Sequence, residues 1–419
     1  MPSTLSSGHT RRYALLICLI LLAAILMARL RVWPYPAHAA SIQTTASNDA
    51  PIVGLTQVLY DGALGGTPDT QGFFYLPVGQ ASTTWAGGIT TLNTFTDTTT
   101  QAGYANAIPP LLPVPLSFPI LDRATGYTLR FSAQVISEDH PLASSDRNGD
   151  GLGDRAGFNV IAISSDGQQG IELGFWTDQI WAQNGGAAEP PPNSNTLFTH
   201  GESASFNTTA GLIPYELRVL GSAYSLTVGS TEILSGSLRD YTAFNGSPDV
   251  YETPNFIFFG DNTGSAKAIV KLSHISVITN AALPNRTAAG NIPLVIDNLG
   301  LMDIDAGGQN VVMTLTANNG ILTLTTTAPG GLTGGQISGN GSPTVMATGP
   351  LGQINTSLAF TPALIYSRNT GFFGIDTVTV TINDQGYSGS GGALTAQKTF
   401  NITVKTSNSG YLPVIVKKY

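Results

Sequence analysis

The feature that most constrains the fold is an alternation of apolar and polar residues with a period of two. Apolar residues stand at every second position from Tyr127 to Val135, and the pattern recurs at 215–219, 224–228 and 377–382. Successive side chains of a strand point to opposite faces, so the pattern predicts strands with one buried face. No window shows sustained helical periodicity, and Gly, Asn, Asp and Pro separate the runs, as is typical of β-sandwiches. The sequence therefore predicts an all-β protein.

The first 39 residues have the pattern of a secretory signal peptide. An Arg-Arg pair precedes an apolar run at 13–28, and an Ala-His-Ala sequence ends at Ala39. A basic region, an apolar region and a small-residue cleavage site in this order are typical of a cleaved signal. The run is shorter than the roughly 20 residues that span a bilayer. An uncleaved anchor is the alternative, because Arg29 and Arg31 make an unusual cleavage region.

Charge and cysteine content narrow the function classes further. Residues 1–39 contain four arginines and no acid, so the net charge of −8 becomes −12 when they are removed. An acidic chain is a poor partner for nucleic acid, which needs a basic face. The one cysteine, Cys18, lies within the predicted signal peptide. We therefore expect a secreted or cell-surface protein with no disulfide, no thiol chemistry and no membrane span in the mature chain.

Composition shifts along the chain predict two domains. Residues 40–54 are small and polar and suggest a flexible leader, and 280–293 contain Pro and Gly among small residues and suggest a linker. These boundaries leave a first domain at 55–279 and a second at 294–405. A polar segment and a short apolar stretch form a tail at 406–419, which could be an edge strand or a sorting tag.

The first domain resembles the concanavalin A-like jelly-roll domains of bacterial surface proteins, in the lectin/glucanase superfamily. The resemblance depends on the order of weak motifs: 59–62 (Leu-Tyr-Asp-Gly), 146–158, 170–176 (Gly-Ile-Glu-Leu-Gly-Phe-Trp), and 258–261 followed by 269–278. It implies two antiparallel sheets packed face to face.

The segment 146–154 (DRNGDGLGD) has oxygen side chains at positions 1, 3, 5 and 9 and glycine at position 6. Calcium loops need this alternation and a glycine at the sharp turn. Position 12 is Gly157 rather than the glutamate of an EF-hand, and the pattern resembles the shorter D-x-N-x-D-G-x-x-D loops of other secreted proteins. By that resemblance the calcium ligands are Asp146, Asn148, Asp150, Asp154 and the carbonyl of Leu152. A polar turn that caps its own backbone is the alternative.

A second candidate site lies at Trp176, Asp178 and Trp181. Sugars stack on exposed indole faces, and a neighbouring carboxylate can bind their hydroxyls. The alternative is that one or both tryptophans fill the core of the sandwich.

The same domain lacks the sequence signs of a glycosidase. Such enzymes need two carboxylates that flank the bond, but Glu172 has no acid two or four residues later. Glu138 and Asp139 are adjacent and would face opposite sides of a strand. On these grounds we expect a protein that is not an enzyme.

The second domain resembles the cadherin-like, Ig-type β-sandwich repeats of bacterial adhesins. The motifs are 302–308, the Asn-Asn-Gly sequence at 318–320 between two alternating runs, and 374–386. Asn-Gly between such runs predicts a hairpin. Cadherin-like modules often bind calcium, and the matching positions are Asp303, Asp305, Asn383 and Asp384. The alternative is that these side chains cap turns.

These observations favour a secreted, calcium-stabilised binding or adhesion protein. Its partner would be carbohydrate or another component of the cell envelope. Two alternatives remain open: a carbohydrate-active hydrolase of jelly-roll type, and a purely structural envelope protein. The sequence predicts neither the ligand nor the oligomeric state.

Overall fold

The computed structural model describes residues 50–96, 99–141, 146, 149, 151, 153–186, 197–304, 306–386 and 392–406. All of them belong to one compact unit. The predicted signal peptide, most of the predicted leader and residues 407–419 of the tail lie outside the described residues.

The strands of the first sandwich follow the predicted alternating runs and the glycine-rich turns between them. They are β1 (Ile52–Asp61), β2 (Phe74–Val78), β3 (Ser82–Ala86), β4 (Ile89–Asn93), β5 (Gln101–Ala105), β6 (Tyr127–Asp139), β7 (Asn159–Ile163), β8 (Gly170–Phe175), β9 (Gln179–Gln183), β10 (His200–Ser205), β11 (Ile213–Leu220), β12 (Ala223–Val228), β13 (Thr231–Ser237), β14 (Ile257–Asp261) and β15 (Lys267–Thr279). Two 3₁₀ turns, Gly62–Leu64 and Pro68–Gln71, follow β1.

The second sandwich contains the remaining strands and a short helix. They are β16 (Arg286–Ala289), β17 (Leu294–Ile296), β18 (Leu299–Met302), β19 (Asn310–Ala317), β20 (Gly320–Leu324), β21 (Ile337–Ser338), β22 (Thr344–Pro350), α1 (Leu351–Ala359), β23 (Leu364–Arg368), β24 (Gly374–Asn383) and β25 (Thr395–Lys405). A 3₁₀ turn, Gly334–Gln336, precedes β21.

Two antiparallel sheets face each other in the first sandwich. Sheet I has the order β13-β12-β11-β6-β15-β1-β18, with β4 pairing with β15 and β3. Sheet II has the order β10-β9-β8-β7-β14-β5-β2. Alternate residues of β6, beginning at Tyr127, are buried between the sheets, as the alternation predicts. At the centre Phe131 stacks on Tyr215 with ring centroids 5.1 Å apart and meets Phe259 of sheet II edge-on.

The second sandwich packs sheet III, in the order β16-β25-β24-β19-β22-β21, against sheet IV, in the order β17-β23-β20. Its core contains alternate residues of β19 and β24 and one face of α1. Leu351, Ile354 and Leu358 lie three and four residues apart, so they share that face of the helix. The two sandwiches confirm the all-β prediction, whereas the resemblance of the second to cadherin-like repeats stays a prediction.

The outer face of sheet I is covered by the second sandwich, and β18 joins the two. β18 pairs with β1 at the edge of sheet I. The side chain of Asn355 on α1 closes the other edge of β18: Leu301 N donates to its Oδ1 (2.8 Å), and its Nδ2 donates to Leu301 O (2.9 Å). Sheet I therefore ends on a side-chain amide rather than on an open strand edge.

The predicted hairpin at Asn318-Asn319-Gly320 is wrong. β19 pairs with β22 and β24 in sheet III, whereas β20 pairs with β23 in sheet IV. At the turn, where the chain crosses from one sheet to the other, the Asp376 carboxylate accepts the N–H of Asn319, at 2.9 and 3.0 Å. That carboxylate also accepts a hydrogen bond from Tyr366 of sheet IV, at 2.7 Å.

The predicted domain boundaries stay a prediction, but strands occupy parts of the two segments that were expected to be a flexible leader and a linker. β1 begins at Ile52, within the predicted leader 40–54, and β16 lies within the predicted linker 280–293, where it pairs in parallel with β25. Among the residues that the structure describes, no helix has the length and apolar character needed to cross a bilayer.

Candidate functional site

A pocket of about 320 Å³ lies at one end of the first sandwich, where the end of β6 meets the β8–β9 turn and the end of β10. We call it the end pocket. Its lining is mostly polar and contains Glu138, His140, Trp176, Thr177, Asp178, Gln179 and Ser205. Trp176 and Asp178, two of the predicted sugar-binding residues, therefore line one pocket.

A carboxylate–imidazole pair stands in the end pocket. Glu138 Oε2 is hydrogen-bonded to Nδ1 of His140. Glu138 Oε1 accepts a long hydrogen bond from the hydroxyl of Thr177, at 3.4 Å. The Glu138 side chain is 7% exposed and that of His140 is 32% exposed. The carboxylate is therefore held in place while the imidazole reaches solvent.

Aromatic stacking fixes the imidazole of His140. Its ring lies parallel to the indole of Trp176, with centroids 3.8 Å apart and planes 10° apart. Trp176 in turn meets Trp181 at 4.5 Å, and the Trp176 Nε1 donates to the carbonyl of Arg155 at 3.1 Å. The indole face that was expected to stack on a sugar is therefore covered by His140, and the group that reaches the pocket from this stack is the imidazole.

Trp181, which was also predicted to contact a sugar, is fully buried and does not line the end pocket. It lies opposite Gly174 on the neighbouring strand. A Cβ at position 174 would come within 2.5 Å of the indole, so the missing side chain of Gly174 makes room for the ring. The alternative considered for Trp181, a structural role, fits this position.

The predicted calcium loop is described only in part, since Asn148, Asp150 and Leu152 lie outside the described residues. The Asp146 carboxylate accepts the N–H of Gly149 (2.6 Å) and of Gly151 (3.0 Å). Asp154 is fully buried, and its Oδ1 accepts the N–H of His200 at 3.3 Å. The loop thus ends at the buried carboxylate of Asp154, which is bonded to the backbone of His200, a residue whose ring stacks on Trp181.

The second predicted calcium set is spread over two strand ends. Asp303 follows β18, and its Oδ1 accepts the N–H of Ala306 at 3.0 Å. Asp384 follows β24, and its Oδ1 accepts two backbone N–H groups, from Gly386 (2.8 Å) and Leu394 (2.7 Å). Asn383 accepts the N–H of Gln385 at 2.8 Å, and Asp305 lies outside the described residues. These contacts are those of turn caps, and within the described ranges no three His, Cys, Asp or Glu side chains are grouped to hold a metal ion.

No protein-family model matches the chain, and no curated protein matches it. Among solved structures, it is similar to a carbohydrate esterase from the Shiga toxin-encoding bacteriophage phi24B, at 13% identity over 54% of this chain and 100% of the other, with a TM-score of 0.33. It is similar to the exoplasmic/lumenal domain of VIP36 bound to Ca²⁺ and Man3GlcNAc, at 11% identity over 55% and 92%, with a TM-score of 0.30. A third is the Crh5 transglycosylase in complex with NAG, at 11% identity over 55% and 87%, with a TM-score of 0.32. These neighbours have the concanavalin A-like lectin/glucanase fold.

The expectation that this chain is not an enzyme is wrong: the solved structures that it matches include an esterase, a transglycosylase and alginate lyases. The end pocket brings together two acids that do not lie on one strand, Glu138 of β6 and Asp178 of the β8–β9 turn.

A local signal for the Glu138–His140 pair was present in the sequence. The two residues are two positions apart at the end of an alternating run, so they project to the same face of a strand. The partners Trp176 and Asp178 are distant in sequence, and only the packing of sheet I against sheet II brings them to the same pocket.

Proposed function

We propose that the chain is a carbohydrate-active protein of jelly-roll type, and that it hydrolyses a glycan at the end pocket. The observation that carries the proposal is the Glu138–His140 pair in the same pocket as the exposed carboxylate of Asp178. Hydrolysis of a glycosidic bond needs one group that donates a proton and a second carboxylate on the other side of the bond.

The side chains have distinct roles in this proposal. The Glu138–His140 pair donates a proton to the leaving glycosidic oxygen. Asp178 removes a proton from a water molecule, whose oxygen bonds to the anomeric carbon as the carbon–oxygen bond breaks. Each sugar then leaves with a hydroxyl group, and the proton on Asp178 returns to the pair through solvent. Thr177 and Ser205 supply hydroxyl groups that can orient the sugar.

The test is release of reducing ends from a panel of polysaccharides by the full chain. Glu138→Gln and Asp178→Asn should each lower the rate by about 100-fold or more, because each removes a proton-transfer group but keeps its shape. Glu232→Gln is the matched control, since Glu232 is an exposed acid on β13, outside the pocket. The proposal fails if the wild type cleaves no member of the panel, or if the two variants cleave as fast as the control.

We further propose that the loop at 146–154 binds calcium and thereby stabilises the residues that line the end pocket. Support comes from Asp146, whose carboxylate holds the loop amides, and from Asp154, whose carboxylate is buried beneath the aromatic stack. Calcium at this loop would supply a positive charge for the carboxylates and would fix the loop beside Arg155, whose carbonyl holds Trp176.

Calorimetric titration of the full chain with calcium tests this second proposal. The wild type should release or absorb heat with saturation below about 1 mM, and Asp150→Asn should weaken binding by about tenfold. Asp166→Asn is the control, because Asp166 lies in another turn and pairs with Arg123. Absence of heat from the wild type at millimolar calcium would refute the proposed calcium site.

Secretion and a role at the cell surface also belong to the proposal, on the basis of residues 1–39. Cleavage after Ala39 would give an exported chain that begins at Ala40. The amino-terminal sequence of the exported protein checks this. A chain that keeps residues 13–28 would instead favour the anchor.

A further inference from the structure

The charged side chains that line the end pocket are mostly acidic. Glu138 and Asp178 contribute carboxylates and His140 an imidazole, and among the described residues no lysine or arginine lines the pocket. Two carboxylates stand against one imidazole, so the pocket is net negative whether or not His140 carries a proton. Asp178 is exposed, so a ligand that enters the pocket meets its charge directly.

The basic side chains nearest in sequence and in register do not reverse this sign. Arg155 holds Trp176 through its backbone carbonyl, but its guanidinium contacts Glu172 and Asn262, and neither of these lines the end pocket. Lys267 on β15 lies in register with Asp139, the acid that follows Glu138 on β6, so its charge is matched by a further carboxylate. The pocket therefore keeps an excess of negative charge.

Calcium at 146–154, as proposed above, would not change this balance. Its ligands would include the carboxylates of Asp146, Asp150 and Asp154, whose three negative charges exceed the two positive charges of the ion. The loop would then offer no net cation to a ligand in the pocket.

Hydrogen bonding in the pocket also suits hydroxyl groups better than acid groups. The Thr177 hydroxyl donates to Glu138, and both N–H groups of Trp176 donate to backbone carbonyls, of Arg155 (3.1 Å) and Gln179 (2.9 Å). A sugar hydroxyl can donate to the carboxylates of the pocket, whereas an ionised carboxylate or sulfate only accepts. An acid group on a sugar would thus meet acceptors, and donors that already have partners.

We propose that the end pocket takes a neutral glycan and excludes by charge the sugars that bear a carboxylate or sulfate group. This inference rests on the glycan hydrolysis proposed above and adds the class of its substrate. Two like unit charges 4 Å apart in water change an equilibrium by about fivefold, and the effect is larger at the lower effective dielectric near a protein surface. Since Glu138 and Asp178 both face the ligand, we expect a preference for the neutral glycan of at least about tenfold.

Calorimetric titration of the full chain with matched polysaccharides measures this preference as binding. The pairs are methyl-esterified and free homogalacturonan, hydroxyethyl- and carboxymethyl-cellulose, and dextran and dextran sulfate. In at least one pair the neutral member should bind at least about tenfold more tightly than its anionic partner at about 0.01 M salt. The ratio should shrink at about 1 M salt, where the Debye length falls from about 30 Å to about 3 Å. Equal or tighter binding of the anionic member in every pair that binds, or no binding of any neutral member, would overturn the proposal.

Two glutamine variants separate the charge of the pocket from the net charge of the chain. Gln179→Lys adds a cation within the pocket and keeps the backbone carbonyl that accepts the N–H of Trp176. Gln309→Lys adds the same charge at an exposed position before β19, outside the pocket. Gln179→Lys should lower the preference for the neutral member at least about fivefold relative to Gln309→Lys. Equal preferences in the two variants would assign the effect to the whole chain and overturn the proposal.

Release of reducing ends from the same pairs distinguishes failure of this inference from failure of the proposed hydrolysis. Tighter binding of the neutral members without cleavage would refute the hydrolysis and support the neutral ligand class. Cleavage of an anionic member as fast as its neutral partner, or faster, would refute the ligand class and leave the hydrolysis standing.

Discussion

The second sandwich covers a buried ion triad on the outer face of sheet I, and removal of its acid should be among the costliest single changes in the chain. Glu216 Oε1 lies 3.0 Å from Nε of Arg130, and its Oε2 lies 2.8 Å from Nη2 of Arg218. The side chains of Arg130, Glu216 and Arg218 are 10%, 4% and 2% exposed. Both arginines also donate to backbone carbonyls of the second sandwich, at Asn355 (3.4 Å) and Asp303 (3.5 Å).

Glu216→Gln leaves two buried guanidinium groups with no counter-ion. Breaking a buried ion pair by removal of one partner costs about 3–5 kcal/mol, and here one acid serves two cations, so we expect the upper part of that range. Replacement of the whole triad, in Arg130→Met/Glu216→Leu/Arg218→Met, removes the desolvation cost of all three charges. This triple variant should therefore be more stable than Glu216→Gln.

Urea unfolding measures these differences through two signals. The described tryptophans, Trp85, Trp176 and Trp181, all belong to the first sandwich, so fluorescence reports on that part, whereas far-UV circular dichroism reports on both sandwiches. Coincident transitions would justify one free energy of unfolding for each variant. A loss below about 1 kcal/mol for Glu216→Gln, or a triple variant less stable than the single one, would refute the reasoning.

Acid gives an independent check on the same residue. Burial raises the pKa of Glu216, but attraction to Arg130 and Arg218 and their hydrogen bonds outweigh it and hold the pKa below its ordinary value of 4.5. A group with a lowered pKa in the folded state contributes stability that is fully present above its unfolded pKa and is lost as the pH falls through its folded pKa. The acid-induced loss of stability below about pH 4.5 should therefore be smaller in Glu216→Gln than in the wild type.

Three further changes test other parts of the fold. Burial and the charge of Arg130 lower the pKa of His274 to about 4, so the wild type should lose about 2–3 kcal/mol as the pH falls from 6.5 towards 4. His274→Gln should not show this loss, and equal pH profiles would contradict the reasoning. Burial raises the pKa of Asp261 to about 8, so the stability that it contributes is present below about pH 3.8 and is lost as the pH rises towards 8. Asp261→Asn should therefore be about 2–5 kcal/mol more stable than the wild type at pH 8 but not at pH 4, and a difference that does not depend on pH would contradict this. A Cβ at Gly308 would lie 1.4 Å from the carbonyl oxygen of Ser230, so Gly308→Ala should cost about 1–3 kcal/mol or more in urea unfolding. Gly334→Ala, where no atom lies within 4 Å of the added Cβ, is its control, and equal stability of the two would contradict the close approach.

Alternation predicted which residues of the first sandwich are buried between its sheets, but not that the polar residues on the outer face of sheet I are buried too. On β6 and β11 the apolar positions lie in the core as expected. The polar positions between them, among them Arg130 and Glu216, are also buried, because the second sandwich covers the outer face of sheet I. A period of two describes one face of a strand, and it carries no information about a second layer packed on the opposite face.

The candidate sites show the same division between local and long-range information. Trp176 and Asp178 are close in sequence and line the same pocket. Trp181 is three residues further along but on the next strand, where it packs over Gly174 instead. The buried contacts among Arg155, Glu172 and Asn262 form only after sheet II is assembled, so no local pattern indicated them.

The position of β18 has a consequence for the order in which the chain can fold. The first strand, β1, pairs with β15 on one side and with β18 on the other, and β18 begins 20 residues after the end of β15. Until residues 299–302 have left the ribosome, the apolar segment 52–55 of β1 has an open hydrogen-bonding edge, and open edges of this kind pair with other chains. Folding that starts from the amino terminus thus cannot complete sheet I before the second sandwich is synthesised. The second sandwich provides both β18 and the Asn355 that caps it, so it acts as an intramolecular chaperone for the first.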